Sequence, residues 1–176
     1  MRLNLVLLLF MLGNAKLLAQ DSLFNAMPLR DSLVYYEQRG RIDSASQAKL
    51  YERGRYWLKR DFDKANVKWL IEKPDSGYFQ ADADFMTYWQ YTPFQGETHK
   101  IRVRISLLCT DTSYDLVVTK FRYRNIGNGL PLLLDNEGLP LEGWTWVSKK
   151  NSRKYLGTID AAIKEKMLAL DHEMKR

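Results

Sequence analysis

Apolar side chains alternate with polar ones along two pairs of segments, and a turn sequence joins the members of each pair. In the first pair, Pro74 to Gly77 forms the turn, with alternating apolar residues at Val67, Trp69 and Ile71 before it and at Phe79, Ala81, Ala83 and Phe85 after it. In the second pair, Thr110 to Ser113 separates an alternating run over 101–107 from a β-rich segment over 114–124. Alternation bounded by turn residues predicts two β-hairpins, and therefore four antiparallel strands.

The second turn also predicts a register. A turn centred on Asp111 and Thr112 pairs Ile105 with Val118 and Leu107 with Leu116, which gives one apolar face. Because side chains alternate along a strand, the opposite face should be open to water or to a partner, and its members are Arg102, Arg104, Ser106, Val117, Thr119, Phe121 and Tyr123. The same register puts Lys120 and Arg122 on the apolar face, so either they reach past the sheet edge or a bulge shifts the pairing.

Two further segments have the spacing of amphipathic helices. A strand over 31–39 is followed by a predicted helix from about Ser44, in a capping box with Gln47, to Lys59, with an apolar stripe at Leu50, Tyr51, Gly54, Trp57 and Leu58. A second helix is predicted from an N-cap at Thr158 onward, with a stripe at Ile159, Ala162, Ile163, Met167, Leu170 and Met174. The order β-α-β-β-β-β-α predicts an α+β two-layer sandwich, in which an antiparallel sheet carries both helices on one face.

The first nineteen residues have the pattern of an export signal. Arg2 precedes an unbroken apolar run from Leu5 to Leu12, and Leu17 to Ala19 offers a cleavage point before Gln20. The run is too short to span a bilayer. We expect a protein that is periplasmic or secreted after cleavage near Ala19, with a lead-in over 20–30, a single domain over 31–174 and no transmembrane segment in the mature chain.

Charge and cysteine content narrow the class of protein. The 27 basic and 21 acidic residues give a formal charge of +6, which falls to +4 when Arg2 and Lys16 leave with the leader. Because the excess is mild and the bases are interleaved with acids, it predicts a solvated surface, and export argues against nucleic acid as a partner. Cys109 is the only cysteine, so an intramolecular disulfide is excluded, and its position in an apolar run predicts a buried side chain.

One motif supports a resemblance to a known family. Leu50-Tyr51-Glu52-Arg53 followed by Trp57 lies on the first predicted helix, after a strand and before the two hairpins. In this pattern the chain resembles a family of exported bacterial domains of unknown function that are described as having a fold like the TATA-box-binding protein. The resemblance covers about 31–124 and the last helix. It implies a fold and an envelope location, and it implies no catalytic residue and no DNA binding.

Motifs for catalysis or metal binding are weak. His99 and His172 are the only histidines, and without further ligands at metal-binding spacing we interpret both as surface residues. We therefore predict neither a metal nor another cofactor. Asp82 and Asp84 share one strand face, as do Arg102 and Arg104. These residues form either cross-strand ion pairs or, for the two aspartates, the paired carboxylates of a hydrolase acting on an envelope polymer.

The segment over 125–156 has neither helical nor strand periodicity and predicts a long loop inserted in the domain. It contains Trp144 and Trp146, and the linker between the hairpins contains Tyr88, Trp89, Tyr91 and Phe94. These rings either bind a ligand or pack over a sheet edge or the core. We predict a non-enzymatic binding or interaction module of the cell envelope. Its open sheet face or its aromatic loops would engage a protein, a peptide or a glycan, and the alternative is the hydrolase with Asp82 and Asp84.

Overall fold

The computed structural model of the protein describes residues 26–43, 45–92, 94–124, 139–141 and 149–176. A small hairpin of β1 (Leu29–Arg30) and β2 (Leu33–Val34) comes first, and its two turn residues, Asp31 and Ser32, have φ values of 53° and 64°. Strand β3 (Tyr36–Arg41) follows. The predicted strand over 31–39 therefore starts too early, because Asp31 and Ser32 adopt the left-handed conformation that a tight turn requires.

Two helices and the remaining strands follow in the predicted order. They are α1 (Gln47–Asp61), β4 (Lys68–Lys73), β5 (Tyr78–Thr92), β6 (Gln95–Cys109), β7 (Ser113–Arg124), β8 (Leu139–Pro140) and α2 (Lys149–Met174). The antiparallel sheet has the order β3-β7-β6-β5-β4, and β8 pairs with the far end of β7. Both helices pack on one face of this sheet, which confirms the predicted α+β architecture.

The helix α1 fits closely against the sheet. Its N-cap is Ser46, whose hydroxyl accepts a hydrogen bond from the amide of Lys49. The predicted cap, Ser44, lies outside the described residues. A Cβ atom at Gly54 would come within 2.2 Å of a methyl carbon of Leu107, so the glycine allows the helix to approach β6. The predicted stripe is buried in full.

The predicted register of β6 and β7 is confirmed at Ile105–Val118 and Leu107–Leu116. Beyond these pairs, Arg104 pairs with Thr119 but Arg102 pairs with Arg122, so β7 contains one residue more than β6 between the two pairs. Within this stretch of β7, Lys120 has a φ of 51°. This bulge turns the next side chains over. Phe121 is buried beneath the helices with its ring 5.5 Å from that of Tyr36, and Tyr123 pairs with Ile101 on the helix-covered face. The prediction that Phe121 and Tyr123 lie on the open face is therefore wrong, because one inserted residue reverses the alternation.

Helix α2 begins at Lys149, nine residues before the predicted N-cap Thr158. The hydroxyl of Thr158 donates to the carbonyl oxygen of Tyr155 at 2.7 Å, a bond made within the helix. The predicted loop is therefore wrong over 149–156 and at β8, while its other parts, 125–138 and 142–148, lie outside the described residues, as does the leader over 1–19. Neither helix in the described part of the chain is both long enough and apolar enough to cross a membrane.

Candidate functional site

The face of the sheet opposite the helices, called the open face below, carries two arginine–aspartate pairs across β5 and β6. Arg102 donates to both carboxylate oxygens of Asp84, at 2.7 and 3.2 Å, and Arg104 donates to both oxygens of Asp82, at 2.7 and 2.9 Å. The partners lie directly opposite one another in the register. Two parallel N–H···O bonds fix each side chain in orientation. The cross-strand ion pairs considered from the sequence are confirmed.

The pair at Asp84 belongs to a larger network. Asp84 is fully buried, and Lys100 Nζ lies 3.4 Å from Asp84 Oδ2 and 3.1 Å from Asp63 Oδ2. Asp63, just after α1, also donates its amide to the carbonyl of Asp84 at 2.8 Å. The hydrogen bond from Lys100, and then that from Asn66, lowers the pKa of the Asp63 carboxyl. The network therefore joins the connection between α1 and β4 to the open face.

The same geometry bears on the alternative of a hydrolase. The carboxyl groups of a glycosidase dyad must reach the glycosidic oxygen and either the sugar carbon or the attacking water. Both oxygens of Asp82 and of Asp84 accept hydrogen bonds from guanidinium groups. The arrangement therefore favours a structural role for the two carboxylates.

Exposed apolar side chains continue the open face beyond the ion pairs. Met86 and Tyr88 follow Asp84 at alternate positions of β5, and they are 49% and 59% exposed. A Cβ atom at Gly96 would lie 2.2 Å from the hydroxyl of Tyr88, so this glycine makes room for the tyrosine ring across β6. Met86 was not selected from the sequence, and Tyr88 was named only among the aromatic residues of the linker between the hairpins. Extending the alternation of β5 past Phe85 would have placed both on the polar face.

On the helix-covered side, the far end of the same hairpin holds a group of side chains that we call the polar-aromatic cluster: Thr87, Trp89, His99, Tyr123 and Tyr155. The ring of His99 lies 5.0 Å from that of Tyr155, 5.3 Å from that of Tyr123 and 6.1 Å from that of Trp89. Trp89 lies within β5 and packs 5.3 Å from Tyr155 of α2. It is thus a half-buried residue of a strand, in agreement with the packing alternative, and only its predicted place in a linker is wrong.

His99 is the least expected member of the cluster. The structure leaves it 6% exposed, which contradicts the prediction of a surface histidine. Its Nδ1 atom lies 2.7 Å from the Tyr123 hydroxyl, and its buried Nε2 atom is 3.6 Å from a Glu97 carboxylate oxygen, beyond hydrogen-bond range. Burial lowers the pKa of His99, and Glu97 opposes the shift only in part. The sequence signal was present, since His99 is two residues before the buried Ile101.

The predicted binding residues are therefore divided between two faces. Arg102, Arg104 and the half-buried Thr119 share the open face, as predicted, while Phe121, Tyr123 and Trp89 pack on the helix-covered side. Trp144 and Trp146 lie outside the described residues. The open face thus combines the arginines with Met86 and Tyr88 instead of the aromatic residues chosen from the sequence.

Cys109 and the metal-binding residue types add no further site. Cys109 is buried, as predicted, and burial raises the pKa of its thiol to about 12. A thiol with so high a pKa is a poor nucleophile near neutral pH. Within the ranges that the structure describes, no three histidine, cysteine, aspartate or glutamate side chains are grouped in a way that could hold a metal ion.

The antiparallel sheet with two helices on one face defines an α+β protein of the TBP-like class. A family model described as "Domain of unknown function (DUF4468) with TBP-like fold" matches residues 36–124, from the start of β3 to the end of β7. The chain belongs to this family, which confirms the resemblance drawn from the Leu50–Arg53 motif.

Two solved structures share the fold. A TBP-like protein from Parabacteroides distasonis is similar with a TM-score of 0.64 and 12% identity, covering 85% of this chain and 97% of its own. A DUF4468 family protein from Bacteroides ovatus is similar with a TM-score of 0.55 and 16% identity, covering 86% and 88%. Identities this low support the fold alone. Comparison with curated protein sequences gives no match.

Proposed function

We propose that the protein is an exported, non-enzymatic binding module whose open face engages a protein partner in the cell envelope. One observation carries the proposal: Met86 and Tyr88 are about half exposed and stand in line with the paired Arg102 and Arg104 on the same face. Arginine, methionine and tyrosine are enriched at protein interfaces relative to the rest of the surface. A face that concentrates these types is suited to a protein partner.

The ion pairs make this face a preorganised surface. Because each guanidinium is held by two hydrogen bonds, Arg102 and Arg104 have little side-chain freedom left to lose when a partner binds. Covering Met86 and Tyr88 then removes apolar surface from water, which supplies a favourable free energy. The arginines would fix the orientation of the partner and the apolar residues would supply most of the affinity.

The test is capture of a partner from envelope extract with immobilised protein. We expect a Met86→Ser, Tyr88→Ser double variant to recover about tenfold less of the partner than the wild type, since hot spots at an interface are few. A matched control changes two exposed apolar residues of the helices, Tyr56→Ser and Leu168→Ser, and should recover the partner normally. Equal recovery by both double variants, each shown to be folded by circular dichroism, would contradict the proposed role of the open face.

The export component rests on the apolar leader and needs its own test. Cell fractionation followed by determination of the N-terminal sequence should find the protein outside the cytoplasm, with a mature chain that begins near Gln20. Recovery from the cytoplasm with Met1 to Ala19 still attached would show that the export proposal is wrong. That result would leave the open face as a candidate binding surface for a cytoplasmic partner.

A further inference from the structure

The beginning of α2 is strongly basic. Lys149, Lys150, Arg153 and Lys154 fall within the first six residues of the helix, and the sequence has no acidic residue between Glu142 and Asp160. Another acid-free segment, 116–134, has three bases, but they are spread along a strand. Arg153 and Lys154 are both exposed. These two side chains therefore form a positive patch at this end of the helix, on a protein whose overall charge excess is mild.

Helix stability does not account for this arrangement. The backbone dipole makes the N-terminus of a helix partly positive, so cations there are unfavourable and cations at the C-terminus are favourable. Helix α1 follows the rule, with Lys59 and Arg60 in its last turn. Helix α2 follows the rule at its C-terminal end, where His172 lies in the last turn, but its first turn holds two lysines and no acid. The position of these bases therefore calls for an explanation outside the helix itself.

A protruding aromatic residue lies at the same end of the molecule. Lys154 Nζ donates to the carbonyl oxygen of Gln90 at 3.3 Å, which ties the start of α2 to the outer part of the β5–β6 hairpin. Gln90 pairs with Gly96 close to the tip, and there Phe94 is 96% exposed. Covering so exposed a phenylalanine removes apolar surface from water, which is favourable. The positive patch and the apolar tip thus lie side by side.

We propose that this end of the protein binds the surface of a membrane containing anionic phospholipids. Phe94 enters the interfacial layer, and Arg153 and Lys154 contact the phosphate-bearing headgroups. Lysine and arginine side chains near such a surface gain electrostatic attraction without a fixed geometry, and apolar side chains add buried area. Long, flexible bases beside a single protruding ring suit a headgroup layer better than a shaped protein pocket.

Vesicle sedimentation with the full protein tests this proposal. We expect binding about tenfold stronger to vesicles with about 40% phosphatidylglycerol than to vesicles of phosphatidylcholine alone, and loss of most binding at about 0.5 M salt. Arg153→Gln with Lys154→Gln should weaken binding about fivefold to tenfold, and Phe94→Ser should weaken it by a smaller factor. A hydrophobic leader, if still attached, would bind both kinds of vesicle and so would not imitate this lipid preference.

The matched control removes two exposed bases that lie away from this patch, Lys49→Gln in the first turn of α1 and Lys73→Gln at the end of β4. Equal binding to neutral and anionic vesicles, or equal weakening by the two charge-reducing pairs, would overturn the proposal. Competition by free glycerol phosphate at matched phosphate concentration would show a soluble phosphate ligand instead of a membrane. The Met86→Ser, Tyr88→Ser variant should still bind vesicles, so failure of the open-face proposal is distinguishable from failure of this one.

Discussion

The two halves of the β5–β6 hairpin share one alternating pattern but present different side chains to the helices. The inner half, from Tyr78 to Met86 and from Lys100 to Cys109, buries an apolar row whose members are at most 2% exposed: Phe79, Ala81, Ala83, Phe85, Ile101, Val103, Ile105, Leu107 and Cys109. The outer half buries Thr87 and His99 together with the half-buried Trp89. The chain therefore changes from an apolar core to a polar one without leaving the strand.

The contrast separates stability from function along a single hairpin. Apolar burial is the dominant favourable contribution to folding, whereas each buried polar group must regain in the protein the hydrogen bonds that it loses with water. In the inner half, β4 pairs with β5 from Tyr78 to Asp82, and β7 pairs with β6 from Lys100 to Cys109. We expect the inner half to set global stability and the outer half, with Phe94 and Tyr88, to open first.

The largest effect should come from the inner half. Phe79→Ala removes a fully buried ring that packs edge-on against Tyr51 and Trp69, and we expect the free energy of unfolding to fall by about 3–5 kcal/mol. Urea unfolding measures the change. Phe94→Ala in the outer half is the control and should change stability by less than about 0.5 kcal/mol. Similar losses for the two variants would contradict the division of the hairpin.

A smaller effect should separate the two ion pairs of the open face. Asp84→Asn leaves Arg102 and Lys100 beside a fully buried neutral group, and we expect a loss of about 3 kcal/mol. Asp82→Asn, at a carboxylate that retains some exposure, should lose about 1.5 kcal/mol. Both losses are measured by urea unfolding. An equal or reversed order would show that burial does not determine the strength of these pairs.

In the outer half, Tyr123→Phe removes the hydroxyl next to His99 Nδ1 and leaves that buried nitrogen without this partner. We expect the free energy of unfolding to fall by about 1 kcal/mol. Tyr88→Phe, at an exposed ring of the same half, is the matched control and should be nearly neutral. A stability for the Tyr123 variant equal to that of the wild type would indicate that the cluster is not held by this contact.

The smallest effect near neutral pH should come from His99 itself. Because burial holds its folded pKa below the usual 6.5, the unfolded chain takes up a proton more readily than the folded protein. Stability from this residue is thus complete above about pH 6.5, decreases as the pH falls through that value and stops decreasing below the folded pKa.

Urea unfolding between about pH 8 and about pH 5 should show this decrease in the wild type. His99→Gln should reduce the pH dependence in this range, while His172→Gln, at an exposed position, should leave it unchanged. A pH dependence unaltered by His99→Gln would place its origin elsewhere in the molecule.

Sequence patterns predicted the fold well because most of its elements have clear periodicity. Alternation and short turns were enough to pair Ile105 with Val118, and the apolar stripe was enough to find α1. The start of α2 was missed because its first two turns are rich in bases and have no clear apolar stripe, so Thr158 was taken as the N-cap. A helix that is stabilised by tertiary packing does not need a recognisable sequence signal at its first residue.

The candidate site was predicted only in part, for a physical reason. The two arginines lie on β6, whose alternation the bulge does not interrupt, and Thr119 precedes the extra residue of β7, so all three were placed correctly. Phe121 and Tyr123 follow the extra residue and were placed on the wrong face. Predicting the face of a residue from alternation assumes uninterrupted pairing between the strands, so it fails after an inserted residue. The two bases that the unbroken register left in the core, Lys120 and Arg122, were the available clue.

The bulge at Lys120 also has a consequence for how relatives of this protein should be aligned. In a homologue that lacks the extra residue, the residues at the end of this strand would alternate between the faces in the opposite order. A gapless alignment would then place a buried aromatic residue and a surface residue in one column. Substitution patterns computed from such columns would mix the selection on buried positions with that on solvent-exposed positions. Allowing a single-residue gap at this point would keep the water-facing and helix-facing positions of the family apart.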